Sequence, residues 1–315
     1  MTIWIGVDEA GYGPNLGPLL ISATVWHTAP DVSEQAFGDL AASVAGAIGD
    51  SKRVYRSANG LAGLERGVLA ALSLLNRFDF DSSEACHWRD LWREVAPGSM
   101  ADLQRIEWYR QYNAPLPVDL TMAQLLEFRT ELRLALKRHR IALRSVQARA
   151  IFPEQFNRDV SRWGSKGEAL TRWTLALVAD ILAELPPEPV MIRCDKHGAR
   201  NRYAALLQHA FADRWITICR EQKEVSIYRW QERNNQVEIH FTVHGEQFLP
   251  TALASMTAKL LRELALRAFN EFWTARHPGL KPTAGYPVDA RRFRAEIAPL
   301  LKQLAIPSCR LWREK

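Results

Sequence analysis

Hydrophobic positions recur along this 315-residue chain with two different periods. Residues 2 to 7 place Ile3, Ile5 and Val7 on one face, the period-two pattern of a β-strand. Leu19 to Trp26 predicts a second strand. The short loop between them holds three glycines and two prolines and fits antiparallel neighbours. A helix is predicted over Leu61 to Asn76. Thr121 with Gln124 forms a capping box for another, running to about Arg140. A third covers Glu168 to Leu185 and stops at Pro186-Pro187. Val190 to Cys194 is a short strand ending at Asp195, and residues 199 to 213 are helical. Strands follow over 215–219, 225–230 and 236–244, the last with Val237, Ile239, Phe241 and Val243 alternating. A long helix covers Thr251 to Arg276, and a final one Arg291 to Leu304. Strands and helices interleave, which predicts an α/β fold with a mixed central β-sheet flanked by helices.

Residues 78 to 118 interrupt these periods. They mix acids, tryptophans and tyrosines with breakers at Pro97-Gly98 and Pro115-Leu116-Pro117, and read as an insertion. There are no repeats and no low-complexity tract. The length suits one enlarged domain or a core domain with an insertion. No run of about 18 apolar residues exists, so no membrane span is expected. Met1-Thr2-Ile3-Trp4 lacks the basic and apolar regions of a signal peptide, so a cytoplasmic location is expected. Cys86, Cys194, Cys219 and Cys309 show no metal-binding or disulfide spacing and are expected to be reduced. The formal net charge of +6 permits a nucleic-acid partner without requiring one.

Candidate chemistry begins in "GVDEAGYGPNLGPLL", residues 6 to 20. Asp8 and Glu9 end a strand, where a carboxylate can be aimed rigidly. Neighbouring strand residues point to opposite faces, so a shared site requires the chain to turn straight after Asp8. Gly11 and Gly13 supply freedom for that turn. The plain alternative is a solvated acidic pair. Asp195 likewise ends an apolar strand. On the long helix, Ala252, Ser255, Ala258 and Lys259 share helical spacing and lead to Glu263, which also stands four residues from Lys259 as an ordinary ion pair would. Converging carboxylates are hard oxygen ligands for Mg²⁺ or Mn²⁺, and a pair of such ions about 4 Å apart serves phosphodiester hydrolysis.

Arg129, Arg133, Lys137, Arg138, Arg140, Arg144 and Arg149 form a basic stretch opposed only by Glu131, either a phosphate track or a solvated face. Trp88, Trp92, Trp108, Tyr109 and Tyr112 could stack bases, or could be the insertion's own core. His197 is a candidate proton shuttle or a surface-turn histidine.

The opening motif closely resembles that of type 2 ribonucleases H, Asp-Glu-Ala-Gly-Arg-Gly-Pro followed by a second Gly-Pro. "GDSKRV" at 49–54 resembles that family's Asp-Ser-Lys motif, and "SVQARAIFPEQFN" at 145–157 the segment before its third acid. "ALASMTAKLLRE" resembles its Ala-Ser-Ile-Ile-Ala-Lys helix, and "HPGLKPTAGYP" at 277–287 its Gly-Tyr loop. The blocks keep the family's order across nearly the whole chain, except for about 78 to 135. The resemblance implies a ribonuclease H-like fold in a single catalytic domain, with an insertion at about 78–135 and a helical region at about 277–315. It implies a metal-dependent endonuclease that cuts the RNA strand of RNA/DNA hybrids, leaving 5′-phosphate and 3′-hydroxyl ends. Asp8, Glu9, Asp195 and Glu263 would be catalytic and would bind two Mg²⁺ or Mn²⁺ ions. Gly11, Tyr12, Gly13, Ser51, Lys52 and Tyr286 would contact substrate. The expected partner is nucleic acid, with no membrane, and the expected state a monomer. Tyr12 stands where the family has arginine, which puts reading of a single embedded ribonucleotide in question, and Glu263 stands where type 2 members have aspartate. The alternatives are another nucleic-acid target, or a non-catalytic nucleic-acid binder on the same fold.

Overall fold

The computed structural model describes residues 1–44, 47–55, 60–75, 86–233 and 235–314. The first part of the predicted insertion, 78–85, and the last residue of the helix predicted over 61–76 lie outside them. The strands are β1 (Thr2–Ala10), β2 (Leu19–Thr28), β3 (Ile141–Ile151), β4 (Val190–Asp195), β5 (Thr217–Glu221), β6 (Val225–Glu232) and β7 (Asn235–Thr242). Up to the middle of the chain the helices are α1 (Gln35–Ser43), α2 (Ser51–Val54), α3 (Ala62–Ser73), α4 (Trp88–Val95), α5 (Met100–Arg105) and α6 (Met122–His139). Beyond it come α7 (Pro153–Trp163), α8 (Lys166–Glu184), α9 (Ala204–Ala210), α10 (Leu249–Thr274), α11 (Pro287–Glu296), α12 (Ala298–Gln303) and α13 (Ser308–Leu311). None is long and apolar enough to cross a membrane.

The sheet order is β3-β2-β1-β4-β7-β6-β5. At its centre β1, β4 and β7 run parallel, while β2 and β6 run antiparallel to their neighbours. A mixed central sheet flanked by helices is therefore observed, as the sequence periods predict. Alternation along β1 splits the core into two layers. Ile3, Ile5 and Val7 join Trp173, Val178 and Ile181 of α8 on one face. Trp4 joins Leu253, Met256 and Leu260 of α10 on the other.

Gly6 shares the α10 face with Trp4 and Asp8. A Cβ built there would lie 2.1 Å from the Pro250 backbone carbon. Only glycine lets the start of α10 rest directly on β1. Thr24 Oγ1 seals the contact from β2 by donating to the Pro250 carbonyl at 2.7 Å.

Several elements escaped the sequence reading. β3 is an edge strand of half-buried residues with Arg144, Gln147 and Arg149 among them, so its apolar period is diluted. α7 has Pro153 at its first position, a permitted place for proline. The predicted final helix is two helices, α11 and α12, meeting at Ile297. The described part of the insertion packs into the main core. Trp88, Trp92, Trp108 and Tyr109 are buried, and Trp108 meets Phe269 edge-on at 5.2 Å and Trp273 at 6.2 Å. Glu65 of α3 binds the end of this segment by accepting from the amides of Val118, Asp119 and Leu120. These aromatics form core, not a base-stacking surface.

Gly6→Ala is expected to destabilise the protein by about 3 kcal/mol, because backbone cannot yield as a flexible side chain does. Urea unfolding of the variant beside the parent measures this.

Candidate active site

The site grows from the parallel centre of the sheet. Val7 pairs with Cys194 in the β1–β4 ladder, so the next residues, Asp8 and Asp195, stand side by side at the strand ends. Both lie on the face toward α10. The carboxyl ends of neighbouring parallel strands are where open α/β sheets place their ligands. After β7, the third parallel strand, the chain passes through Gly245 to Glu246. The Gly245 amide donates to Asp195 Oδ1 at 2.8 Å.

Asp8 is only 9% exposed. Its Oδ1 accepts the Glu9 amide at 2.8 Å. Burial first, then the negative charges of Asp195 and Glu246, raise its pKa from 3.8 to about 7 against opposing hydrogen bonds from Ser255 and the Glu9 amide. Burial also lifts Glu9 well above the usual carboxylate range, with Asp8 and Asp195 adding to the effect. Asp8 thus feels Asp195 and Glu246, and Glu9 feels Asp8 and Asp195.

Two expectations need correction. The chain does not turn after Asp8. β1 stays paired to β2 through Ala10, with Asp8 opposite Ser22 and Glu9 opposite Ile21. Glu9 therefore follows the opposite pleat and shares the site through its position at the strand end. Secondly, the fourth acid beside Asp8 is Glu246. Glu263 lies eight residues beyond Ser255 on α10, about 12 Å along the axis. It binds Arg262 Nη1 at 2.6 Å and accepts from the Tyr55 hydroxyl at 3.1 Å. Glu246 occupies a short 3₁₀ turn just before α10 and carries no periodic signal. The usable clue was its position, a lone acid between the end of a predicted strand and the small-residue helix.

The loop after the acids gathers other expected residues. Gly11 has φ +91°, and a Cβ there would meet the Pro18 carbonyl at 2.8 Å and Arg262 Cδ at 2.9 Å. The space beside Gly13 is bounded by the Tyr286 ring, 3.9 Å from a built Cβ. Tyr286 is 56% exposed and lies 5.9 Å from the Arg262 guanidinium. The Tyr12 carbonyl accepts from Lys166 Nζ at 2.9 Å, and Lys166 also sits 4.6 Å from the Tyr12 ring. Ser51 is buried and its hydroxyl is 3.2 Å from that of Ser255, so it supports Asp8 through Ser255 rather than facing solvent. The Lys52 side chain lies outside the described residues.

Other candidates fall away from this place. His197 is buried and neutral. Its Nδ1 is 2.9 Å from the Thr171 hydroxyl and its Nε2 3.4 Å from that of Thr174, and burial lowers its pKa to about 3. It is neither a surface-turn residue nor placed to shuttle protons at neutral pH. Within the basic stretch, Arg140 pairs with Asp31 and Arg149 with Asp180. Arg133 and Lys137 are exposed on the second half of α6, which leads into the start of β3. That start pairs with Thr28, at the opposite end of β2 from Ser22. Arg133 and Lys137 therefore border the far end of the sheet from Asp8, whereas Arg149, opposite Ile21 of β2, stands at the near end.

The donor set of Asp8, Glu9, Asp195 and Glu246 consists entirely of carboxylate oxygens, the ligands hard cations prefer. Among the described residues, no three His, Cys, Asp or Glu side chains are gathered tightly enough to hold an ion as they stand. Burial first, and the repulsion of neighbouring acids second, raise the Asp8 and Glu9 values, and bound divalent charge would offset both. On donor chemistry and electrostatics the residues fit Mg²⁺ or Mn²⁺.

No protein-family model matches the chain, and no curated protein matches it. Solved structures do. The chain is similar to ribonuclease HII in its PCNA complex from Archaeoglobus fulgidus, at 14% identity over 99% of this chain and 94% of the other, with a TM-score of 0.45. It is similar to ribonuclease H2 from Pyrococcus horikoshii OT3 at 16% identity over 98% and 92%, with a TM-score of 0.43. Bst-RNase HIII in complex with Mn²⁺ is similar at 14% identity over 99% of this chain and 66% of that one, with a TM-score of 0.40.

The raised Asp8 value sets a pH dependence. In the unfolded chain Asp8 ionises near 3.8, and in the folded protein near 7. Between those values the folded state holds more protons, so its stability falls as pH rises. In the absence of divalent ions, Asp8→Asn is therefore expected to be more stable than the parent at pH 8, by a few degrees at roughly 2–4 °C per kcal/mol. The advantage should shrink toward pH 4. Thermal unfolding across that range measures it.

Proposed function

We propose that this protein is a metal-dependent endonuclease of the type 2 ribonuclease H kind, hydrolysing the RNA strand of RNA/DNA hybrids to leave 5′-phosphate and 3′-hydroxyl ends. One observation carries the reading. Asp8 and Asp195 stand side by side on one face at the ends of adjacent parallel strands, electrostatically coupled to Glu9 and Glu246. The Asp-Glu-Ala-Gly-x-Gly-Pro motif that supplies two of these acids is the most specific part of the family resemblance. A non-catalytic binder gains nothing from repelling carboxylates held beside a phosphate chain.

In this reading Asp8, Glu9, Asp195 and Glu246 hold the ions, Mg²⁺ or Mn²⁺. When bound, these would supply a polarised water and stabilise the oxygen that leaves the phosphodiester. The chain's own residues do the rest. Ser255, backed by Ser51, orients the Asp8 carboxylate. The Gly245 amide orients Asp195. The Gly11–Gly13 backbone and the exposed Tyr286 ring form the surface that meets the hybrid beside the acids. Tyr12 is turned against Lys166, so any reading of the ribose there falls to backbone and not to a charged side chain at position 12.

Cleavage of a uniform hybrid with Mg²⁺ or Mn²⁺ tests this directly. Asp8→Asn and Glu246→Gln are expected to lose more than the roughly 10–100-fold that follows loss of a ligand's supporting partner, while hybrid binding persists. Glu263→Gln should stay within about tenfold of the parent. No metal-dependent cutting by the parent would leave a binder. Activity on duplex DNA or RNA alone would change the target. Equal loss in Glu246→Gln and Glu263→Gln would overturn the assignment of the fourth acid.

The basic stretch gives a separate expectation. Joint replacement of Arg133 and Lys137 by alanine should leave the salt dependence of hybrid binding unchanged. If both touched phosphates, the slope of log affinity against log salt would shrink by about 2.

A further inference from the structure

The loop after the acids is held by a residue nearly three hundred positions away. Arg313 donates its backbone amide to the Asn15 carbonyl at 2.9 Å, and its own carbonyl accepts Asn15 Nδ2 at 2.8 Å. Its guanidinium Nη2 donates to the Pro14 carbonyl. Its neighbours are tied down as well. The Trp312 carbonyl accepts Asn157 Nδ2 and the Glu314 amide donates to Asn157 Oδ1, both at 2.7 Å, so α7 backs the segment. From the other side, the Gly285 carbonyl accepts the amides of Asn15 at 2.8 Å and Leu16 at 3.3 Å. Loop residues 14–16 thus lie between residue 313 and the residue that precedes Tyr286.

The Arg313 side chain is an unusual choice for a plain structural plug. It is 1% exposed, and among the described residues no carboxylate pairs with it. Among the described residues its Nε and Nη1 have no hydrogen-bond partner. The guanidinium packs 5.0 Å from the Phe156 ring centroid. Burial and the nearby Arg262 guanidinium push its pKa down to about 9. A buried cation under these conditions opposes folding. What it does accomplish is to hold the Pro14 carbonyl, one residue beyond Gly13, while the backbone amide of the same residue holds the Asn15 carbonyl.

We infer that Arg313 is a positioning residue, which holds the Gly11–Asn15 loop in the shape that receives the nucleic-acid backbone beside Tyr286. The inference rests on the nuclease reading above and deepens it. Asp8 and Glu9 sit on a paired strand and stay in place without Arg313. Loss of the clamp therefore acts on hybrid engagement more than on the acids.

The test uses the full chain and the variants Arg313→Met and Arg313→Lys. Methionine keeps the apolar contact with Phe156 and removes the buried charge, so folding stability should hold or rise. Steady-state cleavage of a hybrid with Mn²⁺ should then show KM raised about tenfold, the worth of one charged hydrogen bond, with kcat within about threefold. Lysine, which can still reach the Pro14 carbonyl, should recover part of the KM. Amide exchange at Asn15 and Leu16 should quicken in Arg313→Met while the β1 amides remain protected. A residue that merely supports the fold would lower stability and leave KM alone, and that result overturns the proposal. So does unchanged KM with unchanged exchange. If the parent chain neither binds nor cuts the hybrid, the nuclease reading itself fails, a result distinct from a parent that cuts and a variant with unaltered KM.

Discussion

The contact between the start of α10 and β1 at Gly6 governs the geometry of this protein. Backbone meets backbone there, with no side chain between strand and helix. The helix is thereby fixed in height and register over the sheet. Ser255 arrives above Asp8, one turn and a half beyond Pro250, and binds the carboxylate. The turn that begins α10 brings Gly245 to Asp195 and Glu246 into the field of Asp8. A bulkier residue at position 6 would lift the helix and separate the acids from the groups that orient them.

The same packing creates an electrostatic conflict. The α10 face of the sheet is apolar around Trp4 and Met256, yet two aspartates lie at its rim. Burial disfavours the charge of Asp8, and the negative charges of Asp195 and Glu246 disfavour it further. Hydrogen bonds from Ser255 and the Glu9 amide offset only part of this. Arg262, Arg313 and Lys166 bring positive charge to the loop, where each secures a backbone carbonyl.

Residue type alone misled where two environments suit the same side chain. Trp88, Trp92 and Trp108 suited the insertion's own core better than a stacking surface, and contact with Phe152 and Phe269 places them in the main core. Basic residues at spacing four on α6 make a positive face, but its height on the sheet puts that face at the wrong end. His197 follows Asp195 by two residues, yet the chain folds it inward between two threonines. Proximity in sequence to an acid carries no information about direction once a strand has ended.

What the sequence by itself determined is local. Period-two and helical patterns define the central strands and the long helices, because burial on one face imposes those periods. The Asp-Glu pair and Asp195 were legible as strand-end carboxylates, and Gly11 and Tyr286 were legible through family-like motifs. The tertiary structure alone decided which acid stands in the field of Asp8 beside Asp195. Glu246 precedes α10 and Glu263 lies within it, and on sequence either could lie near Asp8. The choice depends on how far α10 slides along β1, which the single close contact at Gly6 settles. Likewise, nothing local in Arg313 connects it to Pro14. That link exists because two distant segments pack against α7, and packing between remote segments leaves no period in the chain.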